Sequence, residues 1–364
     1  MIGVAIVGCG MIGVNHARAI ARHPELEIVA VVDAVPESAT ALAELVNTEL
    51  GLERPAEFAT LEAALATGAV QLVVICTPSG THVQLAEEAL SAGVHVVIEK
   101  PLDVSMARAR HIAELARDAE ARGLVTSVIS QHRFDPGSVL VAGAAHSGGF
   151  GRLTSAVASV SWWRGQEYYD SGAWRGTWDL DGGGAVMNQG VHTVDLLVWF
   201  LGEPVEVFAH TALLAHERIE VEDVAVATVR FASGALAVIH MTTSAYPGLS
   251  ARIQVHGTEG SAIIDDDELE YFHSNDRLVS RQARQPGLDL LSKASDAFVL
   301  GHLRQYEDVV EAIQSGRPPG VRVDDALLSL AVVRSIYLSS TLRRAVLVSE
   351  VLDGSLDDVE VVTG

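Results

Sequence analysis

The chain has 364 residues, 49% of them apolar and 20% charged, and a formal net charge of −22. That length suits two globular domains, and so acidic a body excludes nucleic acid or an anionic membrane as a natural partner. Cys9 and Cys76 are the only cysteines and form no CxxC or disulfide framework, which points to a reducing compartment.

The start, MIGVAIVGCG, runs directly into a strand with no basic segment and signal core before it. No apolar stretch of about 18 residues is free of charge, Gly or Pro. A cytoplasmic protein without a membrane span is expected. To residue 130, short apolar runs alternate with amphipathic helical stretches: Val4–Gly8, Ile28–Asp33, Gln71–Cys76, Val94–Glu99 and Leu124–Ser130. Runs that are apolar throughout, not alternating, mark strands covered on both faces, so an α/β doubly wound parallel sheet is predicted. Connecting helices start at Ser79–Thr81 and Asp103 and stop at Gly93 and Gly123.

Beyond residue 130 the strand-like segments are Val157–Arg164, Val205–Leu213, Asp223–Phe231, Ala235–Thr243 and Arg252–His256. Turns at Ala232-Ser233-Gly234 and Gly257-Thr258-Glu259-Gly260 join consecutive strands, which predicts a mainly antiparallel sheet. A helix over Ala185–Leu201 precedes most of these strands, and helices near Leu303–Gln314 and Asp324–Leu342 follow. Ser349–Gly364 carries five acids and no base, so a short strand and a frayed tail are expected. The predicted division is 1–130, 131–348 and an acidic tail 349–364.

The first strand opens into Gly8-Cys9-Gly10-Met11-Ile12-Gly13, followed by a helical stretch, Val14–Arg22. In such a GxGxxG turn Gly8 makes the tight bend, Gly10 admits a pyrophosphate to the backbone amides, and Gly13 lets helix and strand approach. The phosphates then meet the positive end of the helix. Asp33 ends the second strand, where its carboxylate would accept adenosine ribose hydroxyls and repel a 2′-phosphate. NAD is therefore expected in preference to NADP. The turn Cys76-Thr77-Pro78-Ser79-Gly80-Thr81-His82 lies at the same carboxyl edge, so Thr77, Pro78 and His82 join the cofactor candidates; His82 reads equally well as a locally satisfied helix residue.

Only two of the 25 basic side chains are lysine, Lys100 and Lys293. Lys100 follows the apolar run Val94–Ile98. Arg remains protonated at any working pH, whereas a partly desolvated Lys can give and take a proton. In the second domain Asn188, His192 and Asp195 are spaced i, i+4, i+7, on one helical face. His192 is the natural acid/base. Three glycines before that helix, Gly182–Gly184, would let the chain approach something closely, such as the nicotinamide end of a cofactor. His192 and Asp195 could supply two metal ligands, but no further His or Cys cluster completes a zinc set, so no metal is expected. Trp162, Trp163, Tyr168, Tyr169, Trp174 and Trp178 are interleaved with Arg164, Glu167, Asp170 and Arg175. Aromatic faces stack on sugar C–H faces while Arg and carboxylates bind hydroxyls; a loop packing its own aromatics, or docking on another subunit, fits the same pattern.

Together GCGMIG, Asp33, CTPSGTH, Glu99-Lys100-Pro101 and GGGAVMNQGVHTVD resemble the glucose–fructose oxidoreductase/inositol dehydrogenase/rhizopine catabolism (Gfo/Idh/MocA) family over nearly the whole chain. The resemblance implies an N-terminal Rossmann domain and a C-terminal α/β domain with an open, mostly antiparallel sheet that serves dimers or tetramers. It implies NAD(P)-dependent oxidation or reduction of a carbinol on a sugar or cyclitol. Carried over by residue, Lys100 hydrogen-bonds the reacting oxygen, Glu99 belongs to the cofactor edge with it, and His192 transfers the proton. Substrate contacts fall to Asn188, Trp163, Arg164, Tyr169, Trp174 and Asp195. Inositol-dehydrogenase-like members hold a carboxylate where this chain has Asn188, and WRGTWDLDGGGAVMNQ is similar to members acting on pyranosides, including nucleotide-linked amino-uronates. A glycoside-cleaving enzyme using NAD transiently, and a non-catalytic NAD sensor, remain as alternatives.

Overall fold

The computed structural model describes residues 1–172, 174–275 and 296–363, so Lys293 lies outside the described residues. The chain forms two compact units. The first comprises Met1–Gln131 and Asp296–Leu327; the second begins at His132 and takes in Leu328 onward.

In the first unit the strands β1 (Ile2–Val7), β2 (Leu26–Val32), β3 (Ala56–Phe58), β4 (Leu72–Ile75), β5 (His95–Ile98) and β6 (Thr126–Val128) form one sheet in the order β3-β2-β1-β4-β5-β6. Every pair is parallel. Residues Leu72 to Ile75 are fully buried, as a strand with helices on both faces requires. The carboxyl ends of all six strands share one edge. The strand order reverses between β1 and β4, which opens a crevice there. Strand β3 was not among the predicted runs, because Ala56 and Glu57 are exposed at the edge of the sheet and supply little apolar pattern.

The helix Ala297–Ser315 belongs to this first unit and not, as expected, to the domain beginning near residue 131. Its Val299, Tyr306, Val309 and Val310 are buried in the same core as Val4, Ile6 and Ile20. Their helical spacing shows that a face is buried. It does not show against which sheet.

The second unit is built on an eight-stranded sheet ordered β13-β12-β11-β7-β10-β9-β8-β14. Its strands are β7 (Leu153–Ser161), β8 (Pro204–Ala212), β9 (Val224–Phe231), β10 (Leu236–Thr242), β11 (Ala251–Gly257), β12 (Ser261–Asp265), β13 (Glu268–His273) and β14 (Val346–Leu347). Only β7 and β10 pair in parallel. Alternate residues of β9, Ala225, Ala227, Val229 and Phe231, are buried, while Val226 between them is exposed. The opposite face carries exposed Val157, Phe208, Val226, Leu236 and Val238. The expected frayed tail opens instead with a short helix, Val348–Leu352, whose Glu350 accepts from the Leu347 backbone amide.

Candidate active site

Gly8 lies at the carboxyl end of β1 with φ +96°, and a Cβ there would come within 2.8 Å of the Cys76 backbone. A side chain at Gly13 would meet the Gly8 carbonyl oxygen at 2.2 Å, which is why α1 (Met11–Ile20) can sit so near the strand. Gly10 differs: a Cβ there would have no neighbour within 4 Å. The turn thus packs tightly on two sides and stays open on the third, at the start of a helix, as a pyrophosphate cradle must. Asp33 stands beside it. Its Oδ2 accepts from the Cys9 amide at 2.8 Å and its Oδ1 from the Val35 amide at 2.9 Å. These bonds fix the carboxylate and leave lone pairs for ribose hydroxyls. Met11 is exposed at the helix start and Ile12 is partly covered.

Thr77 and Pro78 lie in the turn after β4, and the Thr77 hydroxyl accepts from Thr81 at 2.7 Å. His82 takes the other reading, that of a locally satisfied helix residue. Its ring is buried between the carbonyls of Thr77 (2.9 Å) and Leu102 (3.2 Å), and burial pulls its pKa down. Glu99 also departs from expectation, being 7% exposed and turned inward. Its Oε1 accepts from His16 Nε2 at 2.9 Å and its Oε2 from the backbone amide of Lys100 at 2.9 Å. Lys100 itself follows β5 with its side chain half-buried, and the Lys100–Pro101 bond is cis.

In the second unit the predicted helix begins differently. Ala185–Gly190 is wound as a π-helix before α2 (Val191–Leu201) continues as a regular helix. The wider turn shifts Asn188 off the simple i, i+4 face; π turns of this kind recur at functional sites. Of the glycines before it, Gly183 and Gly184 make their close approaches to Tyr337 and Glu222. A Cβ at Gly184 would strike the Glu222 carbonyl oxygen at 1.8 Å, and one at Gly183 the Tyr337 hydroxyl at 2.3 Å. Glu222 accepts from the amides of Gly184 and Val186, both at 2.9 Å, and from Tyr337 at 3.0 Å. Burial pushes its pKa up to about 7 despite those bonds. Sequence reasoning missed Glu222, since an acid beside Asp223 at a strand entry looks like an ordinary turn residue.

Asp195 is engaged by other side chains. It forms a bidentate pair with Arg133, 2.7 Å on each oxygen, and accepts from Ser329 at 2.8 Å. The pair is nearly fully buried and anchors α2. His192 stands one turn earlier with its ring 5.1 Å from that of His132, edge to face. His132 was not predicted. Its Nδ1 lies 2.9 Å from Asp135 and 3.1 Å from Asp267, and although burial lowers its pKa, these carboxylates carry it up to about 10. The signal in sequence was weak: His132 and Asp135 are three apart, but Asp267 arrives from a distant turn.

The aromatic segment packs largely on itself. Tyr169 is buried with its hydroxyl 2.8 Å from Thr243, so it supports the wall and not a ligand. Arg164 stacks on Trp162 and Tyr168, and Arg175 on Tyr168 and Trp174. Trp163 stands edge-on to Tyr246. Trp174 is 45% exposed, and the buried Nε of Arg164 has no acceptor among the described residues. Asn188 donates to the Gly183 carbonyl at 2.9 Å and remains partly open.

Comparison with known proteins agrees with this architecture. Residues 2–127 match the description "Oxidoreductase family, NAD-binding Rossmann fold", and residues 140–263 match "GFO/IDH/MocA C-terminal domain". The chain is 32% identical to the WlbA dehydrogenase from Bordetella pertussis, solved with NADH and UDP-GlcNAcA; the match covers 95% of this chain and 97% of that one, with a TM-score of 0.81. The WlbA dehydrogenase from Chromobacterium violaceum, with the same two ligands, is also 32% identical over 95% of each chain, with a TM-score of 0.80. Inositol 2-dehydrogenase from Rhizobium meliloti (strain 1021) is 28% identical over 94% of this chain and 97% of its own length. The chain belongs to the Gfo/Idh/MocA family and is an NAD-binding oxidoreductase, a dehydrogenase of CH–OH groups.

Proposed function

We propose that the enzyme oxidises a ring carbinol of a pyranoside, with a nucleotide-linked amino-uronate as the favoured substrate class and NAD as the cofactor. The observation that carries this reading is Arg164. Its buried Nε–H, without an acceptor among the described residues, sits among stacked aromatic rings, where an oxygen-rich ring bearing a carboxylate would supply one. Both WlbA relatives were solved with UDP-GlcNAcA, and Asn188 replaces the acid of inositol-dehydrogenase-like members.

NAD, when bound, accepts the hydride. The chain would supply the rest: Gly8–Gly13 would hold the diphosphate and Asp33 the ribose, His192 would take the carbinol proton, and Lys100 would donate a hydrogen bond to the alkoxide that develops. Asn188 and Trp174 orient the ring. NADH formation by pure protein over a panel of UDP-amino-uronates, free pyranoses and myo-inositol is the direct test. Turnover of myo-inositol alone would move the substrate to cyclitols. Aglycone release without net NADH would replace oxidation by elimination.

The cofactor choice has its own test. Wild-type protein prefers NAD, and Asp33→Ser lowers the ratio of kcat/KM for NAD over NADP by about tenfold or more, because a like-charge contact with the 2′-phosphate is removed. An unchanged ratio would show that Asp33 does not set the preference.

We also propose that the open sheet face pairs with a second copy. Val157, Phe208, Val226, Leu236 and Val238 form an apolar surface on neighbouring strands, a composition suited to a buried interface. The double substitution Val226→Glu, Val238→Glu places charges at its centre and converts a dimer or tetramer to smaller species on light-scattering chromatography. A wild-type monomer would dismiss the interface.

A further inference from the structure

Beneath Lys100 lies a cluster that the reaction does not touch. His16 on α1, Glu99 after β5, and His302 and Tyr306 on the helix Ala297–Ser315 meet with side chains at most 8% exposed. The three elements come from distant parts of the sequence. Tyr306 Oη lies 2.6 Å from His16 Nδ1, and His16 Nε2 lies 2.9 Å from Glu99 Oε1. Glu99 Oε2 accepts the Lys100 amide at 2.9 Å. The carboxylate can only accept, so His16 donates from Nε2 and accepts the tyrosine proton at Nδ1. Burial lowers the His16 pKa, in keeping with a neutral ring.

His302 is the informative member. Its Nδ1 lies 2.8 Å from the Phe298 carbonyl oxygen, which can only accept, so Nδ1 carries a proton. Its Nε2 then points at Glu99 Oε1, 3.5 Å away, and has no hydrogen-bond partner among the described residues. In a neutral ring that nitrogen is a lone pair facing a carboxylate oxygen in a dry interior, which is repulsive. A proton on Nε2 turns the repulsion into an ion pair and neutralises Glu99. Burial pushes the Glu99 pKa up, but the hydrogen bond from His16 and the nearness of both histidine rings overcome this and hold it well below the usual carboxylate range. The other titratable groups facing Glu99 are the Cys76 thiol and His82, and neither brings a positive charge: the thiol is pushed up by burial and the His82 ring is pulled down by it.

We propose that His302 is an imidazolium paired with Glu99, and that with His16 and Tyr306 it forms a buried positioning device that holds the backbone of Lys100 in register with the cofactor-binding helix. This rests on the role given to Lys100 above. His302 touches no substrate and acts through Glu99. The pair ties the lysine's loop to α1 and to a helix nearly 200 residues later, so a small shift at Glu99 would displace the lysine from the reacting oxygen.

The test starts with the wild-type protein and needs no turnover. Nitrogen-15 NMR of histidine-labelled enzyme at neutral pH, with the His302 signals assigned by their loss in His302→Gln, shows both ring nitrogens protonated. A neutral-ring pattern overturns the proposal. One tightly held equivalent of zinc or iron, whose removal by chelator alters the same signals, also overturns it, because a metal would then occupy the place given to the proton. In kinetics, His302→Leu lowers kcat by roughly tenfold to a hundredfold, with substrate KM little changed, and His302→Gln, which retains an N–H donor, recovers part of it. Wild-type kcat in folded His302→Leu removes the positioning role. If no substrate is ever turned over, the dehydrogenase reading fails while the NMR result still decides the protonation of His302.

Discussion

Lys100→Arg keeps a positive charge at the carboxyl edge of the parallel sheet, yet its kcat falls by about a hundredfold to a thousandfold. The lysine ammonium is a compact donor that can approach a developing alkoxide as a point, whereas the guanidinium is planar, larger and permanently protonated. The chain gives the substitution little room to adapt. The amide of residue 100 is fixed on Glu99 and the next residue is a proline, so the stem of the side chain cannot slide to accommodate a longer head. NAD affinity, which we assign to Gly8–Gly13 and Asp33, is expected to change little by comparison. Lys100→Met, which removes both charge and donor, is at least as severe. Steady-state kinetics with fluorescence titration of NADH separates the effects. Full activity in the arginine variant would sink the role assigned to Lys100.

The fold could be read from the sequence where the pattern was local. Val4–Gly8, Ile28–Asp33 and Gln71–Cys76 are strands because continuous apolar runs suit a sheet covered on both faces, and the structure places strands at Ile2–Val7, Leu26–Val32 and Leu72–Ile75. The GxGxxG turn is local too, and its three glycines have the separate reasons the geometry shows. What was not legible depends on partners brought from afar. Asp195 looked like a substrate ligand by spacing, but Arg133 and Ser329 claim it, and neither is a helical neighbour. Gly183 and Gly184 announced a close approach without saying to what; Tyr337 comes from a helix far along the chain. Glu99 sat in a motif read as cofactor-facing, and only the arrival of His16 and His302 turns it inward. Periodicity identifies a buried face, while the identity of its partner is a property of the folded chain.

His192→Asn removes the proposed proton acceptor and lowers kcat by about a hundredfold or more, and the surroundings of His192 predict how its pH profile responds to a second site. His132 is edge-on to it at 5.1 Å and is held by Asp135 and Asp267. Its folded pKa of about 10 lies above the ordinary 6.5. The stability gained from those pairings is therefore complete below 6.5 and is lost as the pH rises towards 10. Well below pH 10 His132 remains a cation, so it is not the group that titrates on the acidic limb of the rate profile, which we assign to His192. His132→Gln removes that cation and leaves two carboxylates behind. Both changes favour a protonated His192, so the acidic limb of kcat/KM moves upward, by about one pH unit. Asp267 is half exposed and screened by water, so Asp267→Asn alone moves the limb down by less than His132→Gln moves it up. A limb that stays in place in both variants would mean that the titrating group is not His192.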